Sequence, residues 1–234
     1  MNINIKLLLI TLGIFFITYI FLNWFVPTIG LDNAIKNSFI STNQSFYDNY
    51  KGKGKIEFIA AKSSTSSYQK HPFKDYKDDV LIKMMNQEQI DDAVALARQK
   101  GASSVNVGHA EFYVDVWQFL ILPFIFLVSL ILASPIQWRK PKAWLVRLGS
   151  LAIGILLFLL FSSFRFWVRF STEVNRHNWL ELGTLNSFTK STLVYMNTFL
   201  MFMGIAFAAC VVIWAAVTFP FIDKNQFFLE EEEI

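Results

Sequence analysis

The sequence predicts an α-helical polytopic membrane protein, with four transmembrane helices and a small α+β extracytoplasmic insertion between helices 1 and 2. Composition supports this class, since 54% of the 234 residues are hydrophobic and 17% are charged, whereas about a quarter are charged in ordinary soluble domains. Four apolar stretches reach the roughly 18 residues that a helix needs to cross a bilayer. The polar stretch between the first two is long enough to form a small domain.

The predicted spans are bounded by polar sequence and by tryptophans, which suit the membrane–water interface. The spans cover residues 7–26, 117–136, 144–167 and 193–221, with Trp24, Trp117, Trp138, Trp144, Trp167 and Trp179 at or near their ends. The first apolar run exceeds a signal-peptide core and no small-residue cleavage site follows it, which predicts a retained anchor. The remaining segments are an extracytoplasmic α+β module (27–115), an outer loop (168–192) and an acidic cytoplasmic tail (222–234).

The loop between the second and third spans sets the predicted orientation. It reads SPIQWRKPKAWLVR, with basic side chains and no acidic one, and Lys and Arg near span ends resist translocation. This predicts a cytoplasmic loop, both termini in the cytoplasm and the module outside. The outer side then carries, against the same rule, Arg165, Arg169, Arg176 and Lys190. Because the single cysteine, Cys210, allows no internal disulfide, the outward module favours a bacterial cytoplasmic membrane.

Within the module, local patterns predict two strands and a helix. The mixed run KIEFIAA at residues 55–61 follows a glycine turn and predicts a strand. A helix is predicted at 87–100, where Asn86 can cap the first turn and a glycine follows the last. SSVNV, at residues 103–107, predicts a second short strand. Residues 27–50 either extend the first helix or lie across the module.

Charge is concentrated in the stretch FSSFRFWVRFSTEVNRHNW, which overlaps the end of the third span. It contains three arginines, a glutamate and a histidine, namely Arg165, Arg169, Arg176, Glu173 and His177. If the third helix continues past Trp167, spacings of three and four residues place the arginines and the glutamate on one face.

Three interpretations of this charged face are open. In the first, the arginines reach toward lipid headgroups and Arg169 forms a helical pair with Glu173. In the second, the guanidinium groups of Arg165, Arg169 and Arg176 contact an anion, either a lipid phosphate, a substrate or an acidic partner surface. In the third, His177 is a catalytic acid or base that Glu173 orients. No nucleophile or metal motif accompanies the third arrangement, so no catalytic residue is assigned.

Pairs of small residues four positions apart predict close helix packing. Ser150 and Gly154 form one such pair in the third span, and Gly204 and Ala208 form another in the fourth. Small residues at this spacing allow two helix backbones to approach closely. The partner helix is either in the same chain or in another subunit.

Several chemistries find no support in the sequence. His71, His109 and His177 all lie outside the spans, so no histidine pair can hold a haem within the membrane. His109 and Glu111 form at most a weak metal-ligand pair, and no metal or cofactor is predicted. The central parts of the spans contain no ionisable side chain, which argues against a single-copy proton-coupled carrier. Cys210 has only apolar neighbours and no setting that would activate a thiolate.

These observations favour a non-enzymatic integral membrane subunit of an envelope protein assembly. Its expected partners are membrane lipids and other membrane proteins or copies of itself, and no nucleic acid. One alternative is a homo-oligomeric, anion-favouring channel with Arg165 and Arg169 at the outer mouth. A second alternative is an outer-face lipid-modifying enzyme that uses His177 and Glu173.

Overall fold

The computed structural model describes residues 2–3, 5–60, 79–101, 107–136, 143–183, 185–222 and 228–229. The helices are α1 (Ile5–Thr28), α2 (Leu31–Tyr47), α3 (Gln87–Lys100), α4 (Leu122–Ala133), α5 (Ala143–Arg176), α6 (Ser187–Met201) and α7 (Met203–Thr218). The strands are β1 (Asn2–Ile3), β2 (Asn49–Tyr50), β3 (Gly54–Ala60), β4 (Asp79–Asn86), β5 (Ala110–Asp115) and β6 (Phe228–Leu229). A π-helical turn at Trp117–Ile121 precedes α4, and 3-10 turns lie at Asn178–Leu180 and Phe219–Phe221.

Three helices in the described part of the chain are long and apolar enough to cross a membrane. They are Ile5–Thr28, Ala143–Arg176 and Met203–Phe221. The prediction of four such spans is therefore met in part. The segment Trp117–Ala133 is also helical and apolar but is shorter.

Two of the predicted span boundaries differ from the helices that form. The span predicted at 117–136 stops being helical after Ala133, where Ser134 has extended torsion angles (φ −61°, ψ 137°). Ser134 precedes a proline, and the proline ring disfavours helical geometry at the residue before it. The span predicted at 193–221 is interrupted at Phe202, which is extended (φ −64°, ψ 124°) and separates α6 from α7.

The chain divides into two compact units. The first comprises residues 1–29, 120–164 and 202–234, and the second comprises residues 30–119 and 165–201. The first unit has an apolar core formed by α4, α5 and α7, with Leu127, Ile131, Phe158, Cys210 and Val217 buried against one another. β1 and β6 form a short antiparallel pair in the same unit. Because lipid is as apolar as these side chains, dispersion contacts and close packing hold such a core together.

The second unit contains an antiparallel sheet with strand order β2-β3-β4-β5. The register pairs Ile56 with Met84 and Ile82 with Phe112. Burial alternates along β3 and β5, so that every second side chain faces the core. This is the pattern of a sheet with one face packed and the other face more open.

The packed face of the sheet is covered by aromatic side chains from α2 and from the last part of α5. Phe166 and Phe170, one turn apart on α5, are both fully buried. The Phe170 ring lies 4.5 Å from Tyr47 and 5.1 Å from Tyr50, and the Phe166 ring lies 5.9 Å from Phe58, as distances between ring centroids. Aromatic pairs at such distances add to the free energy gained by burial. Residues 165–201 are thus part of the same unit as the sheet.

The segment that the sequence assigns to an outer loop, residues 168–192, is largely helical. Residues 168–176 belong to α5, and α6 begins at Ser187. The turn between them packs on the sheet unit, since Asn86 Nδ2 donates to the carbonyl oxygen of Leu180 at 2.9 Å. The polar residues Ser171, Thr172, Glu173 and Asn175 are buried in the protein, and a single sequence does not show that burial.

Residues 27–50 form a separate helix rather than an extension of the first. Gly30 adopts a left-handed conformation (φ 73°), which a residue without a side chain tolerates, and α2 begins directly after it. Gln44 on α2 lies at the edge of β3, where its amide donates to Ile56 O at 2.7 Å and accepts from Phe58 N at 2.8 Å. α2 therefore covers a strand edge that β2 is too short to pair.

The predicted helix at 87–100 is confirmed with the same bounds. Asn86 caps it, with the side-chain oxygen accepting from Glu88 N at 2.9 Å, and Gly101 ends it in a left-handed conformation (φ 65°). The strand predicted at 55–61 corresponds to β3. Most of the strand predicted at 103–107 and most of the acidic tail lie outside the described residues, while β4 and β5 were not predicted.

Candidate functional site

The charged face predicted at the end of the third span does form, because α5 continues as a helix to Arg176. Its side chains belong to the second unit. Their environments differ greatly from one another, and these environments decide which chemistry each side chain can support.

Arg165 is buried, with 2% of its surface exposed. Its Nε donates to Leu200 O at 2.9 Å and its Nη1 donates to Phe119 O at 3.1 Å, while the guanidinium carbon lies 4.6 Å from the centre of the Phe119 ring. Leu200 lies in the last turn of α6, where carbonyl oxygens lack an intrahelical donor. Arg165 therefore stabilises the end of α6, in surroundings that differ from the open anion-binding mouth envisaged from the sequence.

Arg169, Glu173 and Arg176 form an ion-pair network along the helix. Arg169 Nη1 lies 3.1 Å from Glu173 Oε1, and Arg176 Nη1 lies 3.1 Å from Glu173 Oε2. The Glu173 side chain is 2% exposed, whereas those of Arg169 and Arg176 are 28% and 62% exposed. A buried carboxylate needs such partners, because an uncompensated charge in the interior is costly. The network carries one net positive charge at the surface.

His177 follows the last residue of α5, and its ring contacts Trp179 edge-on, with 6.5 Å between the ring centroids. Its backbone N–H donates to Glu173 O at 3.2 Å. Among the described residues, no hydrogen bond or ion pair joins the His177 ring to the Glu173 carboxylate, which the two arginines hold instead. The acid–base pair envisaged from the sequence is not assembled in this conformation.

The predicted packing pairs occupy two different settings. Ser150 Oγ donates to Val217 O at 2.9 Å, and a side-chain carbon added at Gly154 would lie 2.7 Å from Ile131 Cδ1. This pair thus packs inside the chain. Gly204 and Ala208 are exposed on α7, and a side-chain carbon added at Gly204 would meet the ring of Phe202 at 2.6 Å.

The remaining candidates have structural surroundings. Cys210 is buried, and its Sγ donates to Pro123 O at 3.3 Å. His109 Nε2 lies 4.0 Å from Glu111 Oε2 on a partly exposed strand. Within the described ranges, no group of three or more His, Cys, Asp or Glu side chains could hold a metal ion.

A pocket of about 170 Å³ lies in the second unit, between the end of α5, the start of α6 and the turn after β2. Its lining is mixed, with Lys51, Ser171, Asn175 and Thr189 on the polar side, and Tyr50, Trp167, Val174, Gly183, Leu185 and Leu193 completing it. Sequence reasoning missed this pocket because Lys51 is distant from the α5 residues along the chain. The available signal was the basic glycine-rich stretch KGKGK at residues 51–55, which the sequence alone identifies only as a turn.

No protein-family model, curated protein or solved structure matches this chain.

Proposed function

We propose that this protein is a non-enzymatic integral membrane subunit of an envelope assembly in a bacterial cytoplasmic membrane. In this proposal it associates with other membrane proteins, or with copies of itself, through its transmembrane helices and presents the module of residues 27–115 on the outer side. The observation that carries the proposal is that charged side chains of α5 are bonded to other groups of the protein. Arg165 is bonded to backbone carbonyl oxygens, and Glu173 is held by Arg169 and Arg176.

The proposed topology has four crossings, with both termini in the cytoplasm. The fourth crossing would be the apolar helical segment Trp117–Ala133. At about 1.5 Å per residue this segment is roughly 25 Å long, somewhat less than a hydrocarbon core of about 30 Å. Tryptophan at one end and local bilayer thinning accommodate a mismatch of this size. The basic loop after it supports the cytoplasmic placement of that end.

The surface proposed for association is the outward face of α7. Ala208, Val211 and Val212 lie three or four positions apart and are exposed, whereas Ala206 and Cys210 on the opposite face are buried. An alanine among valines permits close approach of a second helix. The face is apolar throughout, as a contact within the membrane requires.

The two alternatives have less support. An anion channel would need Arg165 at its mouth to meet the ion, and its guanidinium group is bonded to Leu200 O and Phe119 O. A lipid-modifying enzyme would need Glu173 to orient His177, and the Glu173 oxygens accept from two arginines.

The test is native mass spectrometry of the protein extracted gently from its own membrane. The expected result is a complex of fixed stoichiometry, with other proteins or with copies of the chain. Ala208→Phe should reduce the fraction in complex, while Leu156→Phe, at an exposed position on α5, should leave it unchanged. A monomer without protein partners in every gentle extraction would refute the proposal. A ring of identical copies that conducts anions in bilayers, and loses conductance with Arg169→Ala, would favour the channel instead.

A further inference from the structure

The pocket in the second unit contains polar groups that the fold does not use. Ser171 is buried, yet its hydroxyl makes no hydrogen bond to any described residue. A hydroxyl within a helix commonly donates to the carbonyl oxygen four residues earlier. The next residue, Thr172, does so, since its hydroxyl donates to Val168 O at 2.8 Å. A hydroxyl at a pocket wall without a protein partner normally bonds to water or a ligand. The Ser171 hydroxyl is therefore available to a molecule in the pocket.

Lys51 brings a positive charge to the same pocket. It adopts a left-handed conformation (φ 53°), which is uncommon for a residue with a side chain and often marks a functional turn. A side-chain carbon added at Gly183 would lie 2.7 Å from Lys51 Nζ, so the glycine makes room for the ammonium group. Lys51 forms no ion pair with a described residue, and none of the described residues that line the pocket is acidic. These features favour an anion.

The start of α6 adds to this preference. Thr189 lines the pocket from the first turn of α6, and the N-terminus of a helix carries a partial positive charge. The Thr189 hydroxyl makes no hydrogen bond to a described residue, although its backbone N–H donates to Asn186 Oδ1 at 2.8 Å. The pocket is thus lined by a second residue whose hydroxyl has no described protein partner.

The apolar side of the pocket indicates what else the ligand contains. Val174, Leu185 and Leu193 line it, together with Trp167, which is 46% exposed. Trp167 ends the apolar part of α5, and tryptophan at that position suits the level of lipid headgroups. A volume of about 170 Å³ is below that of most pockets for drug-sized ligands. It accommodates a small anionic group with a few attached carbon atoms.

We propose that this pocket binds the phosphate group of a small or lipid-linked phosphate ester. In this arrangement the Lys51 ammonium and the hydroxyls of Ser171 and Thr189 contact the phosphate oxygens, and Trp167 covers the attached carbon atoms. The two sources that share this chemistry are a membrane phospholipid headgroup and a soluble phosphate compound. The site is separate from the Arg169–Glu173–Arg176 network, and it does not depend on the proposed assembly.

The experiment measures lipid binding to the full-length protein in detergent by native mass spectrometry, titrating phosphatidylglycerol and, separately, phosphatidylcholine. Lys51→Gln should weaken phosphatidylglycerol binding about fivefold, the effect expected of one charge-assisted contact. The matched control is Lys53→Gln, an exposed lysine two residues away that does not line the pocket, and it should bind as the unmodified protein does. Ser171→Ala should weaken binding in the same direction as Lys51→Gln.

Protection of Lys51 from an amine-reactive label distinguishes the two sources. Protection by phosphatidylglycerol but not by inorganic phosphate identifies a lipid ligand, and protection by inorganic phosphate alone identifies a soluble one. Equal losses for Lys51→Gln and Lys53→Gln would show nonspecific attraction to anionic lipid and overturn the proposal. Absence of protection by either compound would also overturn it. An unchanged thermal midpoint of each variant confirms that the fold is intact.

Discussion

The two units of this protein use different means of holding helices together. In the first unit, Leu127, Ile131, Phe158 and Val217 are buried together, and Gly154 allows α5 to approach Ile131 closely. In the second unit, aromatic rings fill the space between the sheet and the helices, and polar side chains bond to backbone groups at strand and helix ends. Lipid offers no hydrophobic driving force between helices, so the first unit depends on close packing. In the second unit, contacts between aromatic rings add to the free energy gained by burial.

A single helix takes part in both arrangements. The first part of α5 contributes Ser150, Gly154 and Phe158 to the first unit, and its last part contributes Phe166 and Phe170 to the second. The first part includes small residues at a close helix contact, whereas the last part contributes aromatic rings that cover the sheet. Substitutions in the two parts of α5 should therefore destabilise the protein for different physical reasons.

The largest effect is expected from Arg165→Ala in the second unit. The change removes hydrogen bonds from a charged donor to Leu200 O and Phe119 O, each worth about 1.5–3 kcal/mol, so we expect a loss of about 3 kcal/mol or more. Chemical denaturation of the detergent-solubilised protein measures it. Arg98→Ala, at an exposed residue on α3, is the control and should cost about 0.5 kcal/mol or less. Similar values for both variants would contradict the structural role of Arg165.

The corresponding change in the first unit is Gly154→Leu. Its first side-chain carbon would lie 2.7 Å from Ile131 Cδ1 in a packed core, and overpacking of this kind costs about 1–3 kcal/mol. Gly149→Leu is the control on the same helix, because a side-chain carbon there meets nothing within 4 Å. The control should leave the thermal midpoint unchanged or raise it slightly, since leucine favours helix more than glycine does. If Gly149→Leu lowered the thermal midpoint and Gly154→Leu did not, the close approach of α5 to its neighbour would not lie at Gly154.

A smaller effect in the second unit is expected from Gln44→Leu. The substitution leaves Phe58 N–H and Ile56 C=O at the β3 edge without their partner, at a cost of about 1–2 kcal/mol. Amide hydrogen exchange should also accelerate at Phe58. Gln87→Leu serves as control, since the Gln87 side chain bonds to the exposed Asp91, and it should change stability by less than about 0.5 kcal/mol. Unchanged exchange at Phe58 would mean that α2 does not protect this edge.

The smallest effect concerns pH. Burial, with a further contribution from Tyr50, raises the pKa of Tyr47 above its ordinary value of 10.0. The folded protein then keeps Tyr47 protonated at a pH where the unfolded chain has ionised it, so stability is full below about pH 10 and falls as the pH rises further. Thermal midpoints between pH 9 and 11 should decline less for Tyr47→Phe than for the unmodified protein. Parallel declines would exclude this contribution from Tyr47.

Local signals in the sequence predicted α3 well, because Asn86 and Gly101 mark its ends directly. The span predicted at 117–136 ran past the end of α4 at Ser134, although the proline that follows Ser134 is a local signal for that end. The break at Phe202 was not predicted, because the surrounding apolar residues are compatible with a continuous helix and the carbonyl left open is satisfied by Arg165, distant in sequence. β4 was not predicted because its residues form a strand only by pairing with β3, which is distant along the chain.

In the candidate site, too, the sequence predicted local spacing but not contacts between distant parts of the chain. The spacing of Arg169, Glu173 and Arg176 predicted their shared helix face. Spacing could not predict that Glu173 would be buried. It also could not bring Lys51 to the pocket beside Ser171, because that proximity depends on how the turn after β2 and α5 fold together.

The assembly of the second unit from residues 30–119 and 165–201 has a consequence for biosynthesis. A ribosome delivers the sheet strands well before it delivers Phe166, Phe170 and Leu180, which cover that sheet and bond to Asn86. Domains fold as their residues emerge, so the sheet must wait, with part of its apolar face uncovered, until the last part of α5 has been made. Nascent chains that stop before residue 165 should therefore recruit holding chaperones, and release from them should mark the arrival of the second half of α5.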